Sequence, residues 1–243
     1  MIRNNEIVCV IPARGGSKGI PFKNLVELLG KPLLAWSIKA AKESKEFDRI
    51  IVSTDCENIA RIAHEWGAEV PFIRPPELAR DEVHSVHVVL HALDWLEREE
   101  GGTPEGVMML LPTSPLRQAS DISGVVDLFR REQAPSVVSV VDLGKYMTNL
   151  RYLNGNKLER VAPEENPNAQ RQGLKKLHSV NGSIFLARPE VLRSAGSFHI
   201  DGALGYAMNS INSIDINALE DLALARRFCE VLEPWKFEKE AIK

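Results

Sequence analysis

Positive charge and glycine are concentrated in one loop near the start of the sequence, at residues 13–24. The loop carries three cations, three glycines and one hydroxyl group: Arg14, Lys18 and Lys23, then Gly15, Gly16 and Gly19, and Ser17. Glycine lets a backbone approach a ligand closely, and successive backbone N–H groups in a turn form a cradle for an anion. The loop follows an apolar run and precedes a helical pattern, a place where proteins commonly hold phosphate. We therefore predict a phosphate site here.

The loop does not match the two best-known phosphate motifs. The GxxxxGK[ST] spacing of the Walker loop is absent, and so is the GxGxxG fingerprint of dinucleotide-binding domains. The alternative interpretation is a basic turn that is exposed to solvent. Three cations gathered with three glycines directly after a buried strand favour the phosphate site over that alternative.

The elements that position this loop alternate between strands and helices. Apolar runs predict strands at residues 7–12, 49–53, 69–73, 106–111, 136–141 and 183–186. Helical spacing of apolar residues predicts helices at residues 31–44, 58–66, 86–98 and 218–232. This alternation predicts an α/β fold with a mostly parallel sheet and helices on both faces.

In a sheet of this kind, ligands bind at the carboxyl ends of the strands. That rule brings four segments to one rim of the predicted sheet: residues 13–24, 54–55, 74–85 and 112–117. We expect the functional site to lie along this rim.

The pattern changes after residue 141. Residues 142–176 are polar, rich in Asn and Pro, and weakly periodic, and about thirty such residues inside a compact domain are unusual unless they have a function. We interpret the chain as one domain over residues 1–243, with residues 142–176 as an excursion that packs on another subunit. A mobile lid is the alternative.

Composition excludes several classes of protein. The chain has 243 residues, with 30 Lys and Arg against 33 Asp and Glu, so its formal charge of −3 argues against a general nucleic-acid binder. No run approaches the roughly 20 apolar residues of a membrane span, and the first residues lack the pattern of a signal peptide. The cysteines, Cys9, Cys56 and Cys229, lie far apart without metal-ligand spacing, so we expect a reducing, cytoplasmic setting.

The sequence resembles the acylneuraminate cytidylyltransferases, which make CMP-sialic acids. The resemblance is carried by IPARGGSKGIPFKN at residues 11–24, PTSPLR at 112–117, RQ at 171–172, VNGSIF at 180–185 and SIDIN at 213–217, in the family's order. It implies a Rossmann-like fold of the nucleotide-diphospho-sugar transferase type with a dimerisation excursion. It also implies transfer of CMP from CTP to the anomeric hydroxyl of a nonulosonic sugar acid, with release of pyrophosphate by a homodimer.

The resemblance also assigns roles to individual residues. It implies that Arg14 and Lys23 contact the triphosphate and that Arg171 is catalytic, pairing with the sugar carboxylate. The implied nucleotide-binding residues are Ala13, Arg14, Ser17, Lys18, Asn24, Arg74 and Ser85. The implied sugar-binding positions are Leu111, Gln172 and Asn181, and Lys145 and Tyr146 are candidates for reaching a partner subunit's pocket.

The resemblance places a magnesium site at Asp215 and Asn217. Mg²⁺ prefers one or two carboxylates together with phosphate oxygens and water. The family usually has Asp-x-Asp here, so Asn217 leaves the site with one negative charge fewer. The alternative for Asp215 is an N-cap of the following helix, where Asn217, Glu220 and Asp221 also suit a first turn.

Two departures from the family pattern leave other functions open. Most members have Gln where this chain has Leu111, and Asn217 replaces an acid. These changes leave open the alternative that the protein is a nucleotidyltransferase that acts on another sugar or another nucleotide. A catalytically silent nucleotide-binding protein and a glycosyltransferase that uses the Asp215 segment are further alternatives.

Overall fold

The computed structural model of the chain describes residues 5–17, 19–144, 147–161 and 175–231. Within these residues, the centre of the fold is a six-stranded sheet in the order β10-β6-β9-β5-β1-β4. The strands of this sheet are β1 (Ile7–Pro12), β4 (Phe47–Ser53), β5 (Gly106–Leu110), β6 (Ser136–Asp142), β9 (His178–Ala187) and β10 (Leu204–Met208). Short antiparallel pairs are formed by β2 (Glu27–Leu28) with β3 (Lys31–Pro32) and by β7 (Arg151–Asn154) with β8 (Lys157–Arg160).

The sheet is mostly parallel, as predicted. β1 runs parallel to β4 and β5, and β10 runs parallel to β6, whereas β9 is antiparallel to both of its neighbours, β5 and β6. β1 lies between two parallel partners, and its apolar sequence IVCVIP suits a strand that is buried on both faces.

Helices cover both faces of the sheet. The helices are α1 (Leu33–Ser44), α2 (Glu57–Glu65), α3 (Ser85–Glu100), α4 (Ala119–Arg131), α5 (Pro189–Ala195) and α6 (Leu219–Val231). Alternate residues of β1 point to opposite faces, so Cys9 packs with α1, α2 and α4 while Val8 packs with α3 and α5. A third apolar cluster joins Ile20, beside the predicted phosphate loop, to Ile216 and to Leu222 of α6.

Two of the predicted strands differ from the structure. The strand predicted at residues 69–73 is wrong, since only isolated bridges at Glu69 and Ile73 join it to the β4 edge. Pro71 lies in the middle of this segment and has no N–H to donate to a ladder. The strand predicted at residues 183–186 lies near the C-terminal end of the longer β9, and its antiparallel direction was not predicted.

The sequence analysis also missed α4, α5 and β10. The beginning of α4 carries a capping box, in which the backbone N–H of Gln118 donates to the carboxylate of Asp121 with 2.9 Å between the two heavy atoms. Its buried face of Ile122, Val125, Val126 and Phe129 has helical spacing, so the signal for α4 was present in the sequence.

The predicted excursion at residues 142–176 contains the β7–β8 hairpin in its described part. All eight hairpin residues are exposed, including the apolar side chains of Tyr152, Leu153 and Leu158. Lys145 and Tyr146 lie outside the described residues. Among the helices that the structure describes, none is both long and apolar enough to cross a membrane.

Candidate active site

A cleft of about 410 Å³ opens at the carboxyl ends of β1 and β5. Eight of the predicted site residues line it: Arg14, Ser17, Lys23, Asn24, Arg74, Ser85, Leu111 and Asn217. They come from two of the predicted rim segments, 13–24 and 74–85, from the position just before segment 112–117, and from the 213–217 segment. The cleft therefore lies where parallel sheets commonly bind ligands, at the carboxyl ends of the strands.

The predicted phosphate loop is anchored to the sheet beneath it. The N–H of Ala13 donates to the carbonyl of Ser53 (2.9 Å), and the N–H of Gly15 donates to Oδ1 of Asp55 (2.8 Å). Ala13 itself is fully buried in the core. Because Asp55 already occupies the Gly15 N–H, an anion cradle in this loop has to use the other backbone amides.

Asn24 supports the same loop from the opposite side. It is buried, and its side-chain Nδ2 donates to the main-chain oxygen of Arg14 over 2.9 Å. The residue before Lys23, Phe22, has a left-handed backbone with φ 49°, an unusual conformation for a bulky side chain. The loop is thus held in one shape at the positions where its cations project.

Lys23 joins the phosphate loop to the 213–217 segment. Its Nζ donates to the carbonyl of Ile216 over 2.9 Å. Burial lowers the pKa of Lys23 from its ordinary value; the charge of Asp215 opposes this shift and the nearby Arg14 adds to it. A cation that is poorly hydrated and close to another cation is well suited to receive a polyanion.

The two loops also touch through their backbones. A Cβ added to Gly19 would lie 2.6 Å from the carbonyl oxygen of Asn217, so only glycine allows this approach. The N–H of Ile216 donates to the carbonyl of Thr113 (2.7 Å), which ties the same segment to the loop that follows β5.

One carboxylate oxygen of Asp215 is left without a hydrogen bond from the described residues. Its Oδ1 is buried and has no hydrogen-bond partner among the described residues, while its Oδ2 accepts a hydrogen bond from Nδ2 of Asn217 at 2.6 Å. A buried, unpartnered carboxylate oxygen is costly unless a cation or donor meets it, so the residue fits a divalent metal. No cluster of three or more His, Cys, Asp and Glu side chains suited to a metal occurs in the described part of the chain. A metal at Asp215 therefore needs further oxygen ligands from the substrate or from water.

The alternative role for Asp215, as N-cap of α6, is wrong. Oδ2 of Asp221 accepts the backbone N–H groups of Asn217 and Ala218, each at 2.9 Å. These two bonds lower the pKa of Asp221. The helix start is thus capped from inside the first turn and not by Asp215. Asn217 is among the described residues that line the cleft, whereas Asp215 is not.

Arg74 forms part of the cleft wall but is itself held firmly. It is 3% exposed, and its guanidinium donates to the main-chain oxygen and the hydroxyl of Ser53. Burial lowers its pKa to about 10. Ser85, at the first position of α3, stands on the same cleft. The structure brings these two predicted nucleotide-binding residues together, and the bonds to Ser53 give Arg74 a fixed orientation.

Arg14 reaches from the phosphate loop to the segment between Arg74 and Ser85. Its Nη2 lies 2.6 Å from Oδ1 of Asp81, and its Nη1 donates to the carbonyl of Ala79 over 3.4 Å. Asp81 and Arg80 also line the cleft. The sequence analysis expected this segment on the rim but did not single out either residue, since a charged residue in a loop has no distinguishing pattern.

Only one of the predicted sugar-binding positions lies at the cleft. Leu111 lines the cleft, but Asn181 is not among the lining residues. Asn181 is buried, its Oδ1 accepts the Ser139 hydroxyl (2.6 Å), and its Nδ2 donates to Ser213 (2.8 Å). Its amide therefore braces the fold beside the 213–217 segment. Lys18, Arg171 and Gln172 lie outside the described residues.

Arg117, at the end of PTSPLR, is a buried residue that the sequence analysis did not identify. Its Nη1 donates to the carbonyl of Ser183 and its Nη2 to the hydroxyl of Ser37, both over 2.6 Å. Burial lowers its pKa to about 10, and its Nε has no partner. This side chain links α1, β9 and the loop after β5. It also donates to the carbonyl of Leu111, a residue that lines the cleft, over 3.5 Å, and so supports the cleft from behind.

Comparison with known proteins identifies relatives over most of the chain. A family model described as "Cytidylyltransferase" matches residues 8–200. The chain is 34% identical over 221 residues to an N-acylneuraminate cytidylyltransferase of Escherichia coli, covering 90% of this chain and 51% of that protein. It is also 34% identical over 236 residues to a CMP-N,N'-diacetyllegionaminic acid synthase of Legionella pneumophila, covering 93% of this chain and 97% of that protein. The chain thus spans about half of the first relative and nearly all of the second.

A solved structure shares the fold at low sequence identity. It is a CMP:2-keto-3-deoxy-manno-octonic acid synthetase complexed with CTP, with a TM-score of 0.70 and 16% identity. The match covers 94% of this chain and 100% of that one. This likeness concerns the fold alone, and it agrees with the mostly parallel sheet described above.

Proposed function

The chain belongs to the cytidylyltransferase family, and on that premise we propose that it transfers CMP from CTP to the anomeric hydroxyl of a sialic-acid-like nonulosonic acid. The observation that carries the proposal is the convergence of Arg14, Lys23 and Arg74 on one cleft. A cleft with that charge is suited to a nucleoside triphosphate. The relatives' names supply the sugar class.

In this reaction the sugar hydroxyl attacks the α-phosphorus of CTP and loses its proton. The bond between the α-phosphorus and the oxygen that leads to the β-phosphate breaks, and pyrophosphate leaves with the electron pair. Arg14 and Lys23 offset the charge on the transferring and leaving groups. The fixed loop that carries both cations supplies this charge without reorganisation at the moment of transfer.

Arg74 and Ser85, with Ser17 and Asn24, are proposed to hold the nucleoside and phosphates. Arg171 is proposed to pair with the sugar carboxylate, because a guanidinium can bind a carboxylate through two parallel hydrogen bonds. Leu111, Gln172 and Asn181 are the proposed positions on the sugar side. Leu111 presents an apolar wall where an amide would offer hydrogen bonds, which favours a sugar with an apolar substituent there.

Asp215, Asn217 and the triphosphate oxygens are proposed to hold Mg²⁺. The unpartnered, buried Oδ1 of Asp215 supports this proposal. A bound Mg²⁺ supplies positive charge beside the phosphate oxygens. Asn217 contributes a neutral oxygen at most, so Asp215 provides the charge on the protein's side.

The protein is further proposed to act as a homodimer in the cytoplasm. The exposed apolar side chains of Tyr152 (60%), Leu153 (70%) and Leu158 (70%) on the β7–β8 hairpin support an interface there. Cys9, Cys56 and Cys229 form no disulfide, which suits a reducing compartment. Light scattering of the wild type against Leu153→Asp tests the dimer, since a charge in the interface should shift the mass toward one chain.

Pyrophosphate release with CTP, Mg²⁺ and a panel of nonulosonic acids tests the activity. Turnover with at least one sugar, and none without sugar, is the expected result. Normal CTP binding with no turnover on any sugar would count against the acceptor class.

A second candidate function is transfer from another nucleotide or to another sugar, and Leu111 and Asn217 are the residues that favour it. Thermal shifts with CTP, GTP, ATP and UTP separate the nucleotides, because a specific ligand stabilises the folded chain by mass action. The proposed function predicts the largest shift with CTP.

A further inference from the structure

Asp81 brings a carboxylate to a cleft that is otherwise basic. Among the described residues that line the cleft, Asp81 is the only acidic one, whereas Arg14, Lys23, Arg74 and Arg80 are cations. A negative group beside a site for a polyanion weakens binding by charge repulsion, so its position there needs an explanation.

The contact between Asp81 and Arg14 indicates the role of Asp81. Its Oδ1 lies 2.6 Å from Nη2 of Arg14, and the side chains are 40% and 30% exposed, respectively. The other terminal nitrogen of Arg14 donates to the carbonyl of Ala79, two residues before Asp81. The guanidinium is therefore held on the 74–85 segment, away from its own loop.

The main chain of Arg14 is fixed independently of this ion pair. Asn24 donates to the Arg14 carbonyl, and Gly15 donates to Asp55 on the other side. Only the side chain of Arg14 therefore has to move if the guanidinium changes partners. An ion pair at this exposure is weak, so a triphosphate with several charged oxygens can take the guanidinium from a single carboxylate.

We propose that Asp81 is a positioning residue, which holds the Arg14 guanidinium at the cleft before nucleotide binds and yields it to the triphosphate. This inference rests on the proposed function. After the exchange, the carboxylate lies close to the bound phosphates and repels them. Asp81 thus lowers the affinity for CTP and for pyrophosphate, and it takes Arg14 back when pyrophosphate leaves.

Calorimetric titration of Asp81→Asn with CTP, and separately with pyrophosphate, tests the inference without any sugar present. Asparagine keeps an oxygen that can accept from Arg14 but removes the charge. Both dissociation constants should fall about three- to fivefold relative to wild type. Glu77→Gln is the matched control, because Glu77 is an exposed residue of the same segment that does not line the cleft, and it should leave both constants unchanged. Asp81→Ser, a smaller uncharged replacement, should change them in the same direction as asparagine.

The gain in affinity produced by Asp81→Asn must also depend on Arg14. In an Arg14→Gln background, Asp81→Asn should improve binding by less than about half as much, because the competition for the guanidinium is gone. A gain of full size in that background, or unchanged or weaker binding by Asp81→Asn, would overturn the inference. Wild-type protein that binds pyrophosphate but not CTP would contradict the proposed function. In that case the pyrophosphate dissociation constants of wild type and Asp81→Asn would still decide the role of Asp81.

Discussion

The side-chain amide of Asn217 donates a hydrogen bond to Oδ2 of Asp215 across 2.6 Å, while no residue in the described part of the chain donates to the other carboxylate oxygen of Asp215. The neutral amide thus occupies one of the two oxygens that a cation would use. It also brings no charge of its own. A metal at this position competes with Asn217 for Asp215 and gains little from Asn217 in return.

Asn217→Asp should therefore strengthen magnesium binding. The second carboxylate adds a charged ligand and removes the competing donor, so we expect the Mg²⁺ concentration at half-maximal activity to fall roughly three- to tenfold. Pyrophosphate release measured across a magnesium titration checks this. Asn209→Asp, an exposed substitution with the same charge change, should leave the titration where it is. An unchanged titration for Asn217→Asp would argue that Asp215 binds no metal.

Lys23 should set an alkaline limit on activity. Burial lowers its pKa below the ordinary 10.5, so as the pH rises this lysine loses its charge earlier than an exposed one. The charged form binds phosphate, and kcat/KM for CTP should therefore decline on the alkaline side with a midpoint below pH 10.5. Lys23→Arg stays charged at these pH values and should move the decline to higher pH.

Removal of the charge at position 23 should lower kcat/KM far more than replacement of Lys23 by another cation. Lys23→Met should lower kcat/KM by a factor of about 100 to 1,000, as for other groups that stabilise transition-state charge. Steady-state kinetics of the two variants across pH separates the effect of charge from that of shape. Equal losses in the arginine and methionine variants would contradict an electrostatic role for Lys23.

Alanine should be much more destabilising at Gly19 than at Gly16. An alanine Cβ at Gly19 would meet the Asn217 carbonyl at 2.6 Å, whereas at Gly16 it would meet nothing within 4 Å. We expect Gly19→Ala to lower the free energy of unfolding by about 1–3 kcal/mol, and Gly16→Ala to change it by less than about 0.5 kcal/mol. Urea denaturation without ligand measures both. Similar stability of the two variants would mean that the loops do not touch as described.

The buried guanidinium of Arg117 should be a main support of the cleft floor. Arg117→Met removes the donors to Ser183 and Ser37 and leaves a buried carbonyl without them, at a cost of about 2–3 kcal/mol in the free energy of unfolding. The exposed Arg131→Met makes the same chemical change on the surface and should cost less than about 0.5 kcal/mol. Chemical denaturation compares the two, and a loss of equal size would contradict the role assigned to the Arg117 network.

The parts of the fold that the sequence predicted well are those with a strong local pattern. The apolar run of β1 and the helical spacing of α3 each fix one element, and the carboxyl-edge rule then brings Arg14, Arg74 and Leu111 to one cleft. The direction of β9 was not predictable in this way. A strand's direction depends on which neighbours it meets, and that information is spread over the whole chain.

The contacts inside the site were the least predictable part. The sequence places Gly15 and Arg14 in a phosphate loop, but it does not show that Asp55 takes the Gly15 amide or that Asp81 takes the Arg14 guanidinium. Both partners come from loops that follow other strands. Their identity depends on how far those loops reach over the sheet edge, which no local pattern records.

The bond between Lys23 and the Ile216 carbonyl joins groups 193 residues apart in the sequence. During synthesis the ribosome delivers the first of these residues long before the second. A nascent chain that already contains β1, α1 and β4 therefore still lacks the carbonyl that accepts the hydrogen bond of Lys23. The orientation of Lys23 is completed late in translation, when residues 215–217 have emerged and settled against the first loop.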